Sequence, residues 1–279
     1  MLGMPRIAEL AFSMSPRQDP LSYPGTAPAH SYLWVDSWMY QLTSQPAMEL
    51  GEWRLVVDGG PLGGIDRPVD RLDAALRTAG VAAVAERYPV LAYGSNAAPP
   101  QLLDKFGWLA PRDRVVPVTI GRVDGFALAH SAHVSNPGYL PFVLVHSGAG
   151  AELTVRVLWL DDTQLAALNE TEPNYTLVPV NGAAYRLTLE SDVAVPRYSA
   201  YRGNWGALRW SARDDPAAAG AQAAVHAELA RCEWFAELVG RGAIPEQVEL
   251  LRADKMLRDR VRDELAARGM SVADGWTDD

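Results

Sequence analysis

Tyr93-Gly94-Ser95-Asn96 follows the apolar run Val90-Leu91-Ala92 directly and leads into Ala97-Ala98-Pro99-Pro100, the opening of a helix. A buried strand that turns straight into a helix presents backbone N–H groups at the turn. Such groups beside a helix N-terminus form a site for a carboxylate or an oxyanion. Gly94 permits backbone angles that a side chain forbids, and its small neighbours let a ligand approach the main chain. A plain strand-to-helix turn is the alternative reading of the same four residues. Ser95 raises a second chemistry, since a hydroxyl attacks a carbonyl when a base stands beside it. His130 or His133 would have to be that base, and Tyr-Gly-Ser-Asn lacks the G-x-S-x-G pattern of a nucleophile elbow. In His130-Ser131-Ala132-His133 the two histidines stand at the end of a predicted strand, where positions i and i+3 face opposite ways. No Asp, Glu or Cys joins them at ligand spacing, so no metal site is expected.

Farther along, Arg156-Val157-Leu158-Trp159-Leu160-Asp161-Asp162 reads as a strand ending in an N-cap. Thr163-Gln164-Leu165-Ala166-Ala167-Leu168-Asn169 then gives a short helix, followed by Glu170-Thr171-Glu172-Pro173-Asn174-Tyr175. The Tyr-Gly-Ser-Asn turn early in a β-rich region, followed by strand, short helix, acidic turn, Tyr and strand, resembles the gamma-glutamylcyclotransferase-like family, which includes the butirosin cyclotransferases. The resemblance covers roughly residues 88–205.

It implies that Tyr93, Gly94, Ser95 and Asn96 hold the glutamyl part of a substrate, with Tyr175 as a further contact. Register carried over residue by residue sets Leu168-Asn169-Glu170-Thr171-Glu172 on the family's L-D-x-x-E. Glu172 is then the acid/base, with Glu170 in its place if the register slips by two. The chain departs from the pattern at Asn169 (usually Asp), Pro173 (usually Gly) and Leu177 (often Arg), and almost ninety residues precede the turn. The implied reaction is cyclisation of a gamma-glutamyl amide, or a related acyl amide, to 5-oxoproline with release of an amine, a chemistry of the amidine-lyase type. It needs no metal, no cofactor and no covalent intermediate. Two other readings stand beside it: a non-catalytic small-molecule-binding module of the same fold, and a serine-type hydrolase or acyltransferase using Ser95.

These residues need a scaffold, and the composition bounds it. The chain has 279 residues, of which 48% are hydrophobic and 21% charged, enough for one good core with appended elements. A formal net charge of −9 argues against nucleic acid or anionic membranes as partners and leaves a small molecule as the expected one. The single cysteine, Cys232, excludes an internal disulfide framework and is read as core filler in a reducing compartment. Residues 1–6 do not resemble a signal peptide, and no stretch approaches the eighteen or so apolar residues of a membrane span. The expected location is the cytoplasm.

Residues 1–29 are rich in Pro, Ser and Gly and read as loosely ordered or draped. Tyr32 to Tyr40 is apolar and aromatic, and Glu52–Val57 reads as a strand closed by Asp58-Gly59-Gly60-Pro61. Val69, Leu72, Leu76 and Ala79 form an amphipathic stripe, entered through Asp66 and Pro68 and stopped at Gly80. Strands are expected at 90–93, 115–120, 126–130, 142–145, 153–160, 176–180, 185–189 and 198–201. Many short strands with few helices between them point to an antiparallel barrel. After Asp214-Asp215-Pro216 two stripes, Val225 to Val239 and Leu250 to Leu265, predict two helices separated by Ile244-Pro245. They are read as core faces, with a homodimer contact as the other reading. The expected whole is an α+β protein: a 1–87 extension packed on the core, an 88–205 mostly antiparallel β-barrel of gamma-glutamylcyclotransferase-like type, and a 206–279 helical segment.

Overall fold

The computed structural model describes residues 14–56, 62 and 71–277. The turn expected at 58–61 and the helix entry at Asp66 and Pro68 lie outside the described residues. In chain order the elements are β1 (Tyr32–Val35), β2 (Trp38–Thr43), β3 (Arg54–Val56), α1 (Leu72–Thr78), β4 (Tyr88–Ala92), α2 (Pro99–Phe106), β5 (Val115–Asp124), β6 (Phe126–His130) and β7 (Phe142–His146). They continue as β8 (Glu152–Leu160), α3 (Asp162–Glu170), β9 (Tyr175–Val180), β10 (Leu187–Leu189), β11 (Ala194–Val195), β12 (Tyr198–Gly203) and β13 (Ala207–Leu208). The last are α4 (Gln222–Ala230), α5 (Glu233–Val239), α6 (Ile244–Ala253), α7 (Lys255–Ala267) and β14 (Ser271–Val272).

One large sheet runs β3-β2-β1-β5-β8-β4-β12-β9, with β10 also on β5 and β11 on β10. Its pairings are antiparallel apart from β12 on β4. No pairing of β3 with β9 closes it among the described residues, so the architecture is a mixed α+β fold on an open sheet where a barrel was expected. β1 pairs with β5 in the register Tyr32↔Val118 to Val35↔Val115, so the strands before residue 88 continue the same sheet.

Both faces of this sheet are covered, and the period of two along β1 shows it. Leu33 and Val35 pack into a cluster with Leu42, Trp53, Leu72 and Leu76. Tyr32 and Trp34 point the other way, onto Leu102 and Phe106 of α2 and Leu168 of α3. Each large apolar side chain so buried contributes about 1.5–3 kcal/mol. Arg87 ties the layers from inside: its Nη1 donates to the carbonyls of Val115 (3.1 Å) and Trp159 (3.0 Å) and to Gln164 Oε1 (3.1 Å).

The C-terminal segment has four helices where two were expected. Cys232 adopts an extended conformation between α4 and α5, so the stripe Val225 to Val239 spans two helices that bury neighbouring faces in one cluster. Gly240, at φ 92°, ends α5, and Pro245 opens α6 in place of separating two longer helices. Cys232 itself is half-buried at the edge of that cluster and not a fully enclosed core residue. No described helix is long and apolar enough to cross a membrane.

Candidate active site

The strand β4 ends at Ala92, and Ser95–Ala97 form one tight 3-10 turn before α2 begins at Pro99. Proline suits that first helical turn because the N–H it lacks would have no intrahelical partner there. Across the cavity, α3 is capped by Asp161, whose carboxylate accepts the Gln164 N–H at 2.9 Å while Gln164 Oε1 accepts the Asp161 N–H at 3.1 Å. Its C-terminus is tightened by Thr171 and Glu172 N–H groups bonding back to Leu168 (3.0 Å) and Asn169 (3.2 Å). The turn is held from outside by Asn174, which accepts from the Asn204 N–H at 3.0 Å and from Trp205 Nε1 at 3.1 Å. Two short helices thus present their connecting turns to one space.

That space is a cavity of about 310 Å³, and Tyr93, Gly94, Ser95, Asn96, Glu172 and Tyr175 all line it. All six residues singled out from the sequence therefore meet in one place. Asn96 Nδ2 donates to Glu172 Oε1 at 2.9 Å, which joins the turn after β4 to the turn after α3 across the cavity. Lys105 of α2, which sequence reasoning did not single out, donates from Nζ to the same oxygen. Its side chain is 6% exposed and that of Glu172 14%. Among the described residues nothing bonds to Glu172 Oε2. Glu170 is exposed at the rim and forms no hydrogen bond with the Gly94–Asn96 turn among the described residues.

Around the carboxylate stand five phenols, from Tyr23, Tyr93, Tyr139, Tyr175 and Tyr201. Burial pushes the Tyr23, Tyr93, Tyr175 and Tyr201 hydroxyls well above the usual tyrosine range, and the nearby Glu172 charge adds to the effect. The same two causes push Tyr139 up to about 12, against hydrogen bonding from Ser95 and Ser135. All five therefore stay protonated. Tyr175 donates to the Phe142 carbonyl at 2.9 Å, and Tyr93 to the Tyr201 carbonyl. Tyr201 donates to Asn169 Oδ1 at 2.7 Å. Leu177 packs against the cluster that holds α2 and α3.

Tyr23 comes from the segment before β1, a part of the chain that sequence reasoning left as draped. It stacks on Tyr139 with ring centroids 4.2 Å apart, and its hydroxyl accepts the Phe142 N–H at 2.9 Å. Ser15 bonds to Asp104 of α2, which fastens the same segment on the far side. The cavity wall thus depends on residues well before the turn.

Neither histidine bonds to Ser95 among the described residues. His130 Nδ1 bonds the Leu140 carbonyl at 3.2 Å and its Nε2 accepts the Gly220 N–H at 3.1 Å, so both nitrogens are occupied by backbone. His133 Nδ1 pairs with Ser131 Oγ at 2.6 Å, and burial pushes the imidazole down to about 3, so it stays neutral. Three buried polar atoms on lining residues have no partner among the described residues: Asn96 Oδ1, Gln101 Oε1 and His133 Nε2.

No family model and no curated protein matches the sequence. Solved structures do. A structure titled gamma-glutamyl cyclotransferase aligns at 14% identity and a TM-score of 0.36, over 64% of this chain and 99% of its own. An uncharacterised Homo sapiens protein aligns at 15% identity and a TM-score of 0.36, over 63% and 99%. A solution structure from Arabidopsis thaliana aligns at 19% identity and a TM-score of 0.34, over 55% and 87%.

Proposed function

We propose that the protein is a gamma-glutamylcyclotransferase-like enzyme that cleaves a gamma-glutamyl amide, or a closely related acyl amide, by intramolecular cyclisation. The observation that carries this reading is the Glu172 carboxylate held across the cavity from the Gly94–Asn96 turn by the 2.9 Å bond from Asn96. A non-catalytic descendant would have no need of an acid/base aimed at an oxyanion cradle.

In this reading the substrate's α-ammonium lies against the Glu172 carboxylate. Glu172 Oε2 takes one proton, and the freed amine attacks the γ-carbonyl carbon. A C–N bond forms and the carbonyl oxygen becomes an oxyanion, stabilised by backbone N–H groups of the turn. As the ring nitrogen loses its second proton, the bond to the leaving nitrogen breaks. Glu172 carries protons to that nitrogen, so 5-oxoproline and an ammonium leave. Both reacting groups belong to one molecule, so the protein's task is to fold the substrate into a near-attack shape. The neutral phenols give such a site walls that exclude water without competing for the proton. The matching division of the chain is an 88–205 catalytic unit, with 1–87 and 206–279 supporting it.

The test is to incubate the purified protein with a panel of gamma-glutamyl amides and measure 5-oxoproline. Release from at least one amide, with Ser95→Ala keeping most of the turnover, is the expected result, since the backbone donors survive that substitution. An acyl adduct on Ser95 would favour the hydrolase reading, and binding without any 5-oxoproline the binding module.

A further inference from the structure

Lys105 has no explanation in packing. It shares the buried face of α2 with Gln101, Leu102 and Phe106, and is itself 5% exposed. A buried ion pair adds little to stability compared with an apolar replacement of similar volume, so a Met would serve the core as well. What Lys105 does instead is hold one oxygen of one carboxylate. Its ammonium and the Asn96 amide both donate to Glu172 Oε1, and no described residue donates to Oε2.

We propose that Lys105 is the positioning residue of the Glu172 carboxylate, anchoring Oε1 so that Oε2 is the oxygen that exchanges the proton. This rests on the cyclotransferase reading and deepens it. Two donors on one oxygen fix the plane of the carboxylate, a rotation that a single bond from Asn96 would leave free. The phenols of Tyr23, Tyr93 just after β4, Tyr139, Tyr175 on β9 and Tyr201 on β12, all neutral, face Glu172, and Arg17, His133 and Glu170 line the same cavity. Among the described residues Lys105 is the cation paired directly with the carboxylate. A substrate bringing an α-ammonium and an α-carboxylate together then meets a pair with no net charge.

The test compares wild type, Lys105→Met and Lys105→Arg for kcat and KM from about pH 5 to 9, with a gamma-glutamyl amide that the wild type turns over. Folding of each variant is checked by its melting transition. Loss of the nearby cation in Lys105→Met should move the acid limb of the kcat/KM profile up by about one pH unit or more. At pH 7 kcat should fall at least about tenfold, with KM changed little. Lys105→Arg, which keeps the charge, should return the limb to its wild-type place. A limb that does not move in a folded Lys105→Met, or in Lys105→Gln should Lys105→Met not fold, overturns the proposal while leaving the cyclotransferase reading intact. Failure of the folded wild type on every amide overturns that reading and the proposal with it. Melting temperatures of Lys105→Met, Glu172→Gln and the double variant then show whether the pair itself forms: additive shifts mean that it does not.

Discussion

Tyr23 and Gly94 meet where the N-terminal segment crosses the turn: a Cβ on Gly94 would lie 2.5 Å from the Tyr23 hydroxyl. That hydroxyl cannot simply swing aside, because the ring is stacked on Tyr139 and the oxygen accepts the Phe142 N–H. Gly94→Ala should therefore cost about 1–3 kcal/mol through overpacking, measured by urea unfolding, and should weaken substrate binding as well. A loss below about 0.5 kcal/mol, the scatter of ordinary surface changes, would contradict the close approach. At this scale the sequence was informative where a motif fixed the register, as with Gly94 to Asn96 and Glu172. Lys105 and Tyr23 were not legible. A lysine beside Leu102 and Phe106 reads as the wet edge of an amphipathic helix, and only the fold reveals that this edge faces an enclosed carboxylate.

The elements around the site were legible to the extent that their apolar pattern was local. β8 alternates up to Val157, α3 carries its capping box, and both lie within a residue or so of their expected limits. The four C-terminal helices were not, because helical spacing runs on through a break of one or two residues when both helices bury into one cluster. How β1–β3 attach is a long-range fact that local pattern cannot carry: the four residues of β1 are all buried and pair with β5, eighty or more positions away. Deleting residues 1–80 removes Trp34 and Trp53, both fully buried, and uncovers an edge of β5. The expected outcome is aggregation on size-exclusion chromatography, since an exposed apolar strand edge is a pairing template. A truncated chain that stays monomeric with an unchanged melting curve would show that these strands are dispensable.

Over the whole molecule, three buried histidines couple folding to pH. Burial lowers His130, His133 to about 3 and His226 to about 4, so the fold keeps them neutral. The unfolded chain binds protons on them below its own value of about 6.5, and the folded chain does not until far lower. Stability should therefore be full above about pH 6.5 and fall as pH drops from there toward 4, by roughly 1 kcal/mol per pH unit for each strongly shifted histidine. Urea unfolding at about pH 7.5 and 5 should show the loss, and His226→Gln should flatten the slope. Stability that is constant or higher at pH 5 would contradict the burial of these rings.

In the proposed reaction Glu172 is the group that moves the proton. Glu172→Gln keeps the shape and can still accept from Asn96 and Lys105, but it loses the titrating oxygen. Its turnover of a gamma-glutamyl amide, read as 5-oxoproline released by the folded variant, should fall by about 10²–10⁴, the usual contribution of a positioned acid/base, with KM changed little and a lower melting transition, because Lys105 is left buried without its counter-charge. Turnover equal to that of the wild type would contradict the central claim.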